Sequence, residues 1–97
     1  MVKLLSIKRA TDGIHKFVAT FEMDSGREKK TRFGAAGMDD YTLTGDKEQR
    51  DRYRRRHAKD LRSGDPTRAG YLSWYILWGD STSLRDNVAA YRNRFNL

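Results

Sequence analysis

Between Ala69 and Trp78 the chain is apolar nearly all round, with Tyr71, Leu72, Trp74, Tyr75, Ile76, Leu77 and Trp78 in close succession. A helix without a polar side has to be buried, and a stretch this short falls far below the roughly 20 residues that cross a bilayer. The segment is therefore expected at the centre of a folded domain, and everything else in the sequence has to be arranged around it. Ninety-seven residues suffice for one domain, and the aromatic content of 11% separates the chain from a disordered polymer.

The first third carries the other half of that core. Val2 to Arg9 mixes apolar and basic residues, with Leu5 and Ile7 expected on one face, and Asp12-Gly13 suits a tight hairpin turn with positive φ at both central residues. Phe17, Ala19, Phe21 and Met23 alternate with Val18, Thr20 and Glu22, the period of a half-buried strand. Asp24-Ser25-Gly26 marks a second turn, and Lys29 to Phe33 reads as a third strand with Phe33 inward and Lys30 and Arg32 outward. The sheet spans about residues 2–33, followed by a loop over 34–45.

Three helices follow. Asp46 is placed to cap a helix over about 47–62, whose inner stripe is Tyr53, His57 and Leu61; Ser63-Gly64 ends it. Asp65-Pro66 opens a second over about 66–78, the proline standing at the first helical position. Ser83 with Asp86 caps a third over about 84–95, with Leu84, Val88, Tyr91 and Phe95 inward. The expected architecture is α+β, a three-stranded antiparallel meander packed on three C-terminal helices as a single compact domain.

Charge sets the functional question. Twenty Lys and Arg against thirteen Asp and Glu give +7, a field that favours phosphate backbones or acidic protein surfaces. The basic residues concentrate on the first helix, where Arg50, Arg52, Arg54, Arg55, Arg56 and Lys59 stand against Asp51 alone. A helical wheel puts Arg52, Arg55, Lys59 and Arg62 opposite Tyr53 and His57, a stripe able to follow a phosphate backbone, with Lys30 and Arg32 extending it across the sheet. The competing reading is a solvated face laced by Glu48–Arg52 and Asp51–Arg55 pairs.

Asp40, Tyr41, Arg56 and His57 form a second group, read as a structural polar knot in which loop carbonyls and Asp40 satisfy Arg56 and His57. The chain has two histidines and no cysteine, and no paired metal ligands, nucleophile elbow or phosphate-cradling glycine loop occurs. No catalytic residue, metal, cofactor or small-molecule substrate is expected; a small metal-dependent nuclease is the remaining enzymatic alternative. No long apolar run suggests a membrane partner, and an intracellular setting is expected.

Phe33-Gly34-Ala35-Ala36-Gly37, Asp40-Tyr41-Thr42, Tyr53 with Arg56-His57, and Ala69-Gly70 followed by Leu77-Trp78 resemble a family of small proteins from large double-stranded DNA viruses of algae and protists, a family of no assigned function. The resemblance spans roughly residues 29 to 96. It implies a viral origin, a site of action inside the host cell and a place in the virion, and it transfers no functional residues. Two partners then fit the basic stripe. One is nucleic acid, DNA before RNA, bound without sequence preference; the other is an acidic capsid protein, the chain serving as a minor capsid or cement component.

Overall fold

The computed structural model describes residues Met1–Leu97. It has three strands, β1 (Lys3–Arg9), β2 (His15–Glu22) and β3 (Glu28–Ala35), paired antiparallel in the order β1-β2-β3. The expected meander and the α+β architecture are both present. The alternation read in the second strand is obeyed: Ala19 and Phe21 are fully buried, and the register sets Phe17 opposite Phe33 and Ala19 opposite Thr31.

The first strand departs from its expected phase. Pairing shifts between Leu4 and Ser6, so Leu5 is left over as the extra residue of a bulge. Leu4 takes the buried position that Leu5 was expected to hold, and Leu5 is 45% exposed. The β1–β2 turn also differs. Gly13 alone has positive φ, and Asp12 instead accepts the backbone N–H groups of Ile14 and His15, both at 2.9 Å. Those bonds, with the one to the His15 ring, hold the Asp12 carboxyl well below the usual carboxylate range.

The segment read as a loop contains a short helix, α1 (Tyr41–Thr44), because Asp40 turns back to accept the Thr42 N–H at 2.8 Å. α2 (Lys47–Arg56) starts where expected, Asp46 accepting from Glu48 and Gln49. It does not run on to residue 62. His57 leaves helical geometry at φ −105° and ψ 10°, and Ala58–Ser63 continues as a 3₁₀ helix. The next helix also starts later than Asp65-Pro66 suggested. Asp65 accepts both the N–H and the hydroxyl of Thr67, closing a local turn, and α3 begins only at Ala69. α3 (Ala69–Leu72) passes directly into a π-helical turn, Ser73–Leu77, closed by the Trp78 N–H on the Ser73 carbonyl at 3.0 Å. α4 (Leu84–Phe95) matches its expected limits, capped by Ser83 on Asp86.

Leu4, Ala19, Phe21 and Phe33 supply the sheet's share of the core, and Tyr71, Leu72, Ile76, Leu77 and Trp78 supply that of the apolar segment. Tyr41 of α1 and Tyr91 of α4 complete it, Tyr91 being 1% exposed with its hydroxyl donating to the Pro66 carbonyl. Burial raises the Tyr91 phenol far above its ordinary pKa, so it stays a neutral donor. The apolar segment is not buried all round, however. Trp74 and Tyr75 are half-buried, each with an arginine over its ring: Arg54 at 5.0 Å and Arg94 at 4.9 Å.

Candidate functional site

α2 contributes no fully buried residue. Side chains hold it from one side. Arg54 donates through Nε to the Trp78 carbonyl at 2.7 Å and through Nη2 to Asp80 at 3.0 Å, while the Trp74 indole N–H donates to the Arg54 carbonyl at 3.1 Å. Tyr53 stacks on Trp78, ring centroids 4.4 Å apart and planes 10° apart. These contacts turn the opposite side of α2 to solvent, carrying Arg52 and Arg55; Lys59 and Arg62 follow on the 3₁₀ segment and are also exposed. The four cations expected on one continuous helix therefore lie on two segments broken at His57.

Neither i, i+4 ion pair of the competing solvated-face reading forms. Asp51 pairs with its neighbour Arg50 at 3.2 Å, and neither Arg52 nor Arg55 has a carboxylate within 4 Å. Arg56, Lys59 and Arg62 lack such a partner too, whereas Arg54 and His57 are each matched to an aspartate. The charge of this face is left uncompensated by the protein itself.

On the sheet, Lys30 and Arg32 face solvent as expected, but Arg32 is drawn to Asp12, its Nε 3.5 Å away. The register adds a cation that the sequence reading passed over. Lys8, Val18 and Arg32 lie abreast on one face, next to a row of Ser6, Thr20 and Lys30. Strand periodicity already sets Lys8 outward, since Ile7 faces inward opposite Ala19; what periodicity does not give is the pairing that brings Lys8 abreast of Arg32.

Three of the second group line an open cleft of about 590 Å³ between the end of the sheet, the Gly37–Asp40 loop, α2 and the π turn. Asp40, Arg56 and His57 all reach it, but not as the expected knot. The buried partner of Asp40 is Lys16, its Nζ at 2.5 Å, with both side chains largely shielded from water. Lys16 was not foreseen, since an outward strand position normally means solvent. Gly34 makes the arrangement possible: at φ 76°, a Cβ there would stand 2.7 Å from the Leu77 side chain and 3.1 Å from Lys16 Cβ. A buried pair of this kind is costly to break from either side, because the survivor is left uncompensated.

Arg56 is exposed, and His57 pairs with Asp60, Nδ1 to Oδ2 at 3.1 Å, instead of Asp40. Its ring stacks on Tyr53 at 4.1 Å. Tyr41 is buried in the core instead, with the Arg50 guanidinium 4.7 Å over its ring. Burial, reinforced by the Asp60 charge, raises the Tyr53 phenol above its ordinary pKa. No group of three or more His, Asp or Glu side chains is placed to hold a metal ion, and no helix is long and apolar enough to cross a membrane.

The family of unknown function DUF5754 matches residues 5–57, over half of the chain. The chain belongs to that family. The DUF5754 segment runs from Leu5 within β1 through α2 and ends at His57, so it takes in the Asp40 loop, Lys16, Arg52 and Arg55. It stops before Lys59, Arg62 and the apolar segment. Of the resemblance expected over residues 29 to 96, only 29–57 falls within the match. No curated protein and no solved structure matches the chain.

Proposed function

We propose that this DUF5754 protein binds nucleic acid without sequence preference, DNA before RNA, through Arg52, Arg55, Lys59 and Arg62, with Lys30 and Arg32 as secondary contacts. The observation that carries the reading is the missing counter-charge. Four exposed cations on α2 and the 3₁₀ segment have no carboxylate within 4 Å, although Glu48 and Asp51 are close in sequence. Phosphates release condensed counterions when such side chains replace them, and this needs no base readout. In the viral setting that the sequence resemblance implies, the ligand is the genome. An acidic capsid surface is the competing partner, since guanidinium recognises carboxylate and phosphate alike.

Salt dependence separates these partners. Four phosphate contacts give a slope of log affinity against log salt near −3.6, at ~0.9 per contact. Reversing Arg55 and Lys59 to glutamate removes two of these four contacts and should flatten the slope by about 1.8, with affinity lost equally for all duplex sequences. The double variant should fold, because both side chains are exposed and unpaired. Filter binding of both proteins to two unrelated duplexes, at several salt concentrations, reads all three quantities. Absence of wild-type binding at low salt would remove nucleic acid as the ligand and leave the capsid surface.

A further inference from the structure

The cleft beside the basic face contains an unfinished stack of rings. Trp78 lies at its buried end, Tyr53 is sandwiched in the middle at 4.4 Å, and His57 closes it at 4.1 Å with planes 23° apart. One face of the imidazole is covered by Tyr53 and its Nδ1 is turned to Asp60. The side chain is 39% exposed and lines the cleft, and the parts of the ring without a partner are its far face and the Nε2 edge. Asp60 and Tyr53 hold the ring in place, so it meets an incoming ring without first losing rotamer freedom.

We propose that His57 is a stacking platform for an unpaired base, so that the cleft mouth binds single-stranded nucleic acid. The proposal rests on the nucleic-acid reading above and specifies the kind of strand. Every base presents a π face, and imidazole is among the side chains on which splayed bases stack, so the contact needs no sequence. Arg56 lines the same cleft, exposed and without an acidic partner, and supplies a cation for the phosphate next to the stacked base. A closed duplex cannot use the platform, because its bases are already stacked on one another. The duplex contacts of the basic face and the single-strand contact of the cleft thus depend on different side chains.

Binding of a labelled oligothymidylate and of a duplex of the same length, measured by fluorescence anisotropy, tests this on wild type, His57→Ala and His57→Phe. His57→Ala should weaken the single strand about tenfold, the usual scale for one lost stacking partner, and leave the duplex unchanged. His57→Phe keeps a ring face without the imidazole nitrogens and should retain single-strand affinity. If His57 only steadies Tyr53, the alanine variant will melt lower while the ratio of the two affinities stays fixed, which overturns the proposal. A phenylalanine variant as weak as the alanine one would also overturn it, since the ring face would then not be the contact. Duplex binding with an oligothymidylate affinity indifferent to His57 sinks the platform alone; no binding to either ligand sinks the nucleic-acid reading itself.

Discussion

Trp78→Ala is expected to lower the free energy of unfolding by about 3–5 kcal/mol, the usual cost of deleting a large buried aromatic. Trp78 is 7% exposed, and its ring is the buried end of the stack with Tyr53. Truncation opens a cavity where the π turn meets α2. The Tyr53 ring then loses its inner neighbour as well as part of its cover. The Arg54 bond to the Trp78 carbonyl is made by the backbone and can persist, so the loss measured is one of packing. For a domain of this size the melting temperature should fall on the order of 15–30 °C. A circular dichroism melt within a few degrees of the parent would show that the ring is not part of the core.

Gly79→Ala should be nearly as damaging although it adds one methyl group. The new Cβ would lie 2.2 Å from the Tyr75 carbonyl oxygen and 2.8 Å from Cγ of Asn87. Neither neighbour can yield cheaply. The Tyr75 carbonyl belongs to the backbone of the π turn. Asn87 is 4% exposed, with its amide donating to the Ile76 and Ser81 carbonyls at 2.9 and 2.7 Å and its Oδ1 accepting from the Ser81 N–H at 3.0 Å. Relief of the clash must distort the turn or strip buried polar groups of their partners, and either outcome costs about 3 kcal/mol. Urea unfolding of the two proteins measures the difference, and coincident midpoints would mean that the backbones do not approach so closely.

Those two positions also mark where sequence reading reaches and where it stops. Strand alternation in Phe17–Met23, the capping serine before α4 and the burial of Trp78 are local signals, and the structure repeats them. Leu5 shows the limit: a bulge is settled by the partner strand, so the apolar pattern of β1 alone selects the wrong leucine. Asp65-Pro66 carries an N-terminal helix signal that a Thr67 hydroxyl diverts into a turn. The candidate site was legible as charge and much less as geometry. The basic residues announce themselves, but the break at His57, the Lys16–Asp40 pair and the ring stack arise only once α2, the sheet end and the π turn are brought together.

The docking of α2 by side chains alone has a consequence for how the protein opens. A helix without a fully buried residue gains little from the core, and its mean stability has to come from Tyr53, Arg54 and the cap at Asp46. Its amides should exchange with deuterium well before those of β2, through local opening that leaves the sheet intact. Repulsion among its own arginines favours that opening, and a bound polyanion opposes it. Protection of the Lys47–Arg56 amides should therefore rise on addition of nucleic acid and fall with low salt in its absence. Amides of α2 that exchange as slowly as those of β2 in the free protein would show that the segment is locked from the start.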